Sequence, residues 1–271
     1  MKKFKGREIQ SLDNQVNIEP SLVPKPPFSM YLSANKGSGK STCLLNLLLN
    51  KELLANKFHQ IYIISPTNKL DEKMQILKET KGICLVNQKL LNKLKDKGHI
   101  KILDSSVEEK EYSTSIPEIN FTDKVEPQLL KDLIAEQKKI IGMYGKSIAD
   151  NILLIYDDTI SAKKFWNSEA VQQLFFNSRH YKISIIITSQ NYKSLPKALR
   201  LNMSQMLLYF TANQDELKSI YSENSSSLGF KKFEEIYRTN CHSKPFHFIV
   251  VNYQSPPQFR LQSGFESFIE I

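Results

Sequence analysis

Apolar residues in this chain fall into short runs closed by glycine, proline or acidic residues, and these runs alternate with stretches of helical spacing. Ser29-Met30-Tyr31-Leu32-Ser33 passes through a glycine-containing turn into Leu44, Leu45, Leu47, Leu48 and Leu49, which predicts a strand, a loop and a helix apolar over much of its circumference. His59 to Ile64, stopped by Pro66, predicts a second buried strand. Two lysine-rich, leucine-spaced helical segments follow between Lys69 and Lys97, and Ile100 to Leu103 reads as a further strand. Residues 104–125 are polar, carry Pro117 and have no clear period, so an irregular loop is expected there. From Glu126 to Tyr144, Leu129, Leu130, Leu133, Ile134 and Ile140 recur at helical spacing. Asn151 to Thr159 is a run of four aliphatics and a tyrosine ending in two acids. Beyond it come a helix near Ser168 to Asn177, a strand from Ile183 to Gln190, and strands at Met206 to Phe210 and Phe246 to Val251. Helical segments at Asp215 to Tyr221 and Lys231 to Arg238 separate the last two.

This alternation predicts an α/β fold around a mostly parallel sheet of six or more strands. Central parallel strands are covered on both faces, so their bodies are uniformly apolar and their C-terminal tips are where charge can meet a ligand. The pattern places one domain over residues 28–253. An extended basic, proline-rich arm at 1–27 precedes it, free or resting on a neighbouring subunit, and a peripheral tail at 254–271 follows it.

Asn35-Lys36-Gly37-Ser38-Gly39-Lys40-Ser41-Thr42 sits where strand passes into helix and has the make-up of a phosphate cradle. Oxyanions need backbone amides turned inward, and Gly37 and Gly39 permit the close approach and unusual dihedrals this requires. The helix N-terminus adds its positive dipole end, Lys40 reaches the β- and γ-phosphates, and the Ser41 hydroxyl suits Mg²⁺. ATP and Mg²⁺ are the ligands implied. Ala34 stands where the motif's first glycine is expected.

Asp157 and Asp158 close the apolar run 152–156, which suits Asp157 to the Mg²⁺ shell and Asp158 to orienting and deprotonating water. The 183–190 strand should lie beside them, bringing Gln190 or Thr188 to the γ-phosphate or the lytic water as a neutral sensor. Arg179 and Arg200 flank that strand, and either suits an arginine finger supplied across a subunit boundary. His180 reads as a structural hydrogen-bonder.

The formal charge of +9 and a pI near 9.2 favour an anionic partner. Cys43, Cys84 and Cys241 are too scattered for a zinc site or a disulfide framework, which suits a reducing compartment. No secretory signal or membrane-spanning run is evident.

The ordered set Ala34 to Ser41, Ile152 to Asp158, Arg179-His180, Gln190 and Leu195-Pro196 to Arg200-Leu201-Asn202 resembles viral genome-packaging ATPases of the FtsK/HerA superfamily. It is most similar to the poxvirus-type packaging ATPase of large DNA viruses and virophages. The resemblance spans about residues 28–253 and implies a RecA-like P-loop core in a three-layer sandwich, and a homo-oligomeric ring, often a hexamer, around double-stranded DNA. It also implies ATP hydrolysis that drives DNA into a capsid, at assembly sites in the host cytoplasm or in the virion, with capsid or virion membrane proteins as partners. By position it makes Lys40 the Walker lysine, Ser41 and Asp157 the Mg²⁺ ligands, Asp158 the second acid, Gln190 the sensor and Arg179 the finger. The second acid is Asp where the family more often has Glu. A nucleoside or nucleotide kinase shares the cradle and remains an alternative, as does a nucleotide-gated DNA-binding or assembly module. Phosphate release without an acceptor separates the first from the motor.

Overall fold

The computed structural model describes residues 21–66, 118–224 and 228–269. The helices expected within 69–97 and the strand at 100–103 lie outside them. The strands are β1 (Ser29–Ser33), β2 (Gln60–Ile64), β3 (Glu118–Thr122), β4 (Ile152–Tyr156), β5 (Ile183–Ser189), β6 (Gln205–Tyr209), β7 (Phe248–Asn252), β8 (Leu261–Ser263) and β9 (Ser267–Phe268). They form one sheet in the order β3-β2-β4-β5-β1-β6-β7-β8-β9. The six strands from β3 to β6 in that order run parallel, and β7, β8 and β9 continue the sheet antiparallel. The fold is a mixed α/β P-loop sandwich, as the strand and helix alternation predicts.

The helices are α1 (Lys40–Leu49), α2 (Pro127–Tyr144), α3 (Lys163–Trp166), α4 (Glu169–Tyr181), α5 (Lys197–Arg200), α6 (Gln214–Asn224) and α7 (Phe230–His242). Alternate residues of each central strand enter opposite cores, as the two-residue period of a strand requires. Met30, Leu32, Leu153, Ile155, Ile186 and Leu207 pack with Leu44, Leu45, Leu47 and Leu48 of α1. Tyr31, Leu154, Tyr156, Ile185, Ile187 and Leu208 pack on the other face with α2, α4, α6 and α7. Every residue of β1, β4 and β5 is buried, which is why these strands read as continuous apolar runs. In α2 the buried positions are Leu130, Leu133, Ile134 and Gln137, whereas Leu129 and Ile140 are only half-buried.

Three expectations change. Residues 118–122, expected within an irregular loop, form β3. Among the described residues this strand pairs with β2 alone, so half-buried Ile119 and Phe121 suffice there and no long apolar run is needed. The expected tail is also part of the sheet: β8 pairs with β7 and buries Leu261, while Phe265 and Ile269 pack half-buried against the two cores. The described end of the arm lies on its own chain. Leu22 and Ser21 carbonyls accept from Gln205 Nε2 and Asn252 Nδ2, both at 2.9 Å, and the Lys25 amide donates to Gln254 Oε1 at 3.0 Å.

Candidate nucleotide site

β1 and β4 are not neighbours, because β5 lies between them, so three strand tips converge at one edge of the sheet. The first tip carries the glycine turn. Gly37 and Gly39 have φ of 79° and 89°, the left-handed region that glycine enters without steric cost. Ala34 needs no such freedom: its amide donates to the Ser189 carbonyl at 3.0 Å and extends the β1–β5 pairing by one residue. This explains why alanine serves where the motif has glycine. Gly39 holds the N-cap position of α1 and has no side chain to accept from the first-turn amides, so an anion is the natural cap.

The second tip carries the acids. Asp158 takes φ of 50°, a left-handed conformation that Asp tolerates better than most residues, and this turn aims its carboxylate at α1. Lys40 Nζ lies 2.8 Å from Asp158 Oδ1 and 3.1 Å from Oδ2, with the two side chains 10% and 29% exposed. Residues 118 positions apart in sequence thus meet in one ion pair. Asp157 is buried: Thr188 Oγ1 donates to its Oδ1 at 2.6 Å and Ser65 Oγ to its Oδ2 at 3.4 Å.

The third tip, at the end of β5, joins the other two. Thr188 Oγ1 also accepts from the Asp158 amide at 3.2 Å, so one hydroxyl fixes both acids. Thr188 is fully buried in this role, whereas Gln190 is exposed. Gln190 Nε2 lies 3.4 Å from Asp158 Oδ2. The residues around Gln190 are pinned: Tyr31 Oη bonds Ser189 Oγ at 2.5 Å and the Asn191 and Tyr192 carbonyls at 3.0 Å. The Tyr192 amide donates to Glu216, whose other carboxylate oxygen accepts from Thr211 Oγ1 at 2.7 Å. Burial drives the Tyr31 phenol well above its ordinary pKa, so it stays protonated and serves as a fixed hydrogen-bonding hub.

The arginines separate. Arg179 is exposed near the C-terminus of α4, just before β5 begins. β5 then spans about 20 Å to its tip, so Arg179 stands at the far end of the sheet from its own chain's acids. Arg200 is buried: Nε and Nη2 each lie 2.8 Å from a Glu223 oxygen, Nη1 donates to the Leu195 carbonyl, and the guanidinium sits 4.8 Å from the Tyr192 ring centroid. Bound in this way, it is a structural residue and not a finger. Ser65, Tyr31 and Glu216 went unassigned in the sequence; a polar residue directly after an apolar strand is the signal Ser65 offers.

Ser41, at the start of α1, and Asp157 supply a hydroxyl and a carboxylate oxygen, the hard donors that Mg²⁺ takes. Among the described residues no group of three or more His, Cys, Asp or Glu is placed to hold a metal by itself. Such a cation would therefore take its remaining ligands from phosphate and water, its usual habit in phosphoryl-transfer sites.

A family model described as Poxvirus A32 protein matches residues 73–251, which takes in the β4 and β5 tips. An uncharacterized protein, 075L, of Invertebrate iridescent virus 6 is 30% identical over 112 residues, covering 41% of this chain and 42% of the relative. Uncharacterized protein L437 of Acanthamoeba polyphaga mimivirus is 27% identical over 132 residues, covering 45% and 46%. The matched parts span less than half the length of these relatives. Among solved structures, the genome packaging NTPase B204 of Sulfolobus turreted icosahedral virus 2 in complex with AMP superposes with a TM-score of 0.53 at 15% identity, covering 84% of this chain and 93% of that one. At that identity the likeness concerns the fold.

Proposed function

Because the chain belongs to the poxvirus A32 protein family, we propose that it is an ATP-hydrolysing motor that moves double-stranded DNA into a viral capsid. The observation that carries this reading is the Lys40–Asp158 pair, which joins the glycine turn to the acidic strand tip. ATP binding exchanges the Asp158 carboxylate for phosphate oxygens as the partner of the Lys40 ammonium. Asp158 is then released to take the proton of the attacking water, and Gln190 orients that water. Mg²⁺ held by Ser41 and Asp157 would supply charge neutralisation at the phosphates. B204 is described as a genome packaging NTPase, and the shared fold agrees with the same work here.

Hydrolysis in this reading needs a ring. Arg179 is too far from its own acids to act on them, and a neighbouring subunit's site is where its charge is useful. The DNA grip is assigned to the two loops that leave the acids and the sensor. They meet over a cleft of about 380 Å³ that Lys163 lines from one side and Lys193 and Lys197 from the other. All three lysines are exposed, and Lys193 follows Gln190 by only three residues, so a change at the γ-phosphate is passed directly to a phosphate-gripping surface.

The test is phosphate release with ATP as sole substrate. Phosphate should form without an acceptor and faster with duplex DNA, whereas strict dependence on a nucleoside acceptor contradicts the motor. DNA affinity should fall steeply with salt and vary little with sequence, and Lys193→Ala/Lys197→Ala should flatten the log–log salt slope by about 2. A slope unchanged by the double substitution places the grip elsewhere. Thr188→Val keeps the side chain's shape but removes the hydroxyl that fixes both acids. It should lower kcat/KM for ATP about 10–100-fold while the melting temperature stays within a few degrees, and unaltered kinetics would deny Thr188 this positioning role.

A further inference from the structure

Phe246 combines three properties that packing does not explain. The residue is 66% exposed, its φ is 62°, and it lies directly against the glycine turn. A methyl group added to Gly39 would come within 3.3 Å of Phe246 Cβ and 3.4 Å of Cγ. A bulky residue in the left-handed region is a true outlier, kept only where its surroundings impose it.

The surroundings here are the C-terminal hairpin. On one side of Phe246, Lys244 Nζ pairs with Glu266 Oε1 at 2.5 Å. On the other, His247 Nε2 bonds Ser263 Oγ at 2.9 Å, and the His247 ring packs so closely on Gly264 that any side chain there would clash at 2.8 Å. Gly264 in turn donates its amide to the Phe248 carbonyl at 2.9 Å. Below, Phe248 stacks on Tyr209 and meets Phe265 edge-on, so the backbone that carries Phe246 rests on aromatic packing. The hairpin and strand thus fix an exposed aromatic ring beside the turn and leave much of its surface open.

We propose that Phe246 is the platform on which the base of the bound nucleoside triphosphate stacks, with the β8–β9 hairpin holding it in place. The inference rests on the glycine turn being a phosphate site, as the proposed function requires. Phosphates seated on the first turn of α1 bring the ribose and base to that turn's flank, where Phe246 stands. Every base has a π-face, so stacking on one ring provides affinity with little demand on base identity. The strained backbone then has a use, since it belongs to the geometry that keeps the ring exposed beside the turn.

Titration of the full chain with a non-hydrolysable ATP analogue and, separately, with inorganic tripolyphosphate, each with Mg²⁺, tests this. Phe246→Ala should weaken analogue binding about tenfold and leave tripolyphosphate affinity unchanged, while Phe246→Tyr retains both. Equal weakening of both ligands means that Phe246 only shapes the turn, which overturns the proposal, as does analogue binding indifferent to Phe246→Ala. If the unaltered chain binds neither ligand, the phosphate-site reading fails and this one with it.

Discussion

Lys40→Ala is expected to cut ATP-dependent phosphate release at least about a thousandfold, because the ammonium is placed to serve both the bound phosphates and the charge that spreads in the transition state. Stability should change little. Asp158 is 29% exposed in the pair and rehydrates when left alone, so the cost is within about 1 kcal/mol. Arg179→Ala should lose hydrolysis by a similar factor yet keep nucleotide binding. Because Arg179 lies at the opposite end of β5 from Gln190, its loss should be complemented across a boundary. Subunits bearing Lys40→Ala mixed with subunits bearing Arg179→Ala should regain part of the activity. No recovery in mixed rings would mean that Arg179 does not act in trans, and a Lys40→Ala chain with undiminished turnover would remove the glycine turn from the chemistry.

The second large effect is on stability. Arg200 and Glu223 have side chains only 6% and 7% exposed, and Arg200 also caps the Leu195 carbonyl while Tyr192 donates to Glu223. Removing one partner leaves a buried charge uncompensated, so Arg200→Ala should cost about 3–5 kcal/mol, or about 10 °C in melting temperature. Arg200→Met/Glu223→Gln, which removes both charges at similar volume, should recover most of that loss. A double variant as unstable as the single one would mean that the arginine's packing matters more than its charge.

The same pair sets a pH dependence. Burial alone would raise the Glu223 pKa, but the hydrogen bonds from Arg200 and Tyr192 and the Arg200 charge outweigh it and hold the carboxyl below its ordinary value. A carboxyl whose pKa is depressed on folding adds stability above its unfolded pKa, near 4.3 on average, and loses it as pH falls through the lower folded value. Thermal melts of the unaltered protein should therefore show a loss of stability below about pH 4 that the charge-free pair lacks.

What the sequence reveals and what it conceals follow from how local the physics is. The glycine turn is contiguous, and Gly37, Gly39, Lys40 and Ser41 fall within a few residues of one another, so the pattern alone singles it out. β4 and β5 are legible because burial on both faces leaves only apolar residues until the tip, where Asp157, Asp158 and Gln190 stand out. β3 and the β8–β9 hairpin are not: β3 pairs among the described residues with β2 alone and needs few apolar residues, and β8 and β9 are only three and two residues long, too short to show a period. Pairings across the fold are the least legible. Nothing near Arg200 in sequence announces Glu223, and the fixing of both acids by Thr188 depends on β5 lying between β4 and β1. In sequence Phe246 reads as the start of a strand, because its exposure and its backbone angle are properties of the folded chain.

The measurement that bears most directly on all of this is a structure of the chain with Mg²⁺ and a non-hydrolysable ATP analogue. The expected result places the triphosphate on the amides of residues 37–42, with Lys40 Nζ moved from Asp158 to the phosphates and the γ-phosphate between the β1, β4 and β5 tips. A nucleotide bound away from those tips, with the Lys40–Asp158 pair intact, would contradict it.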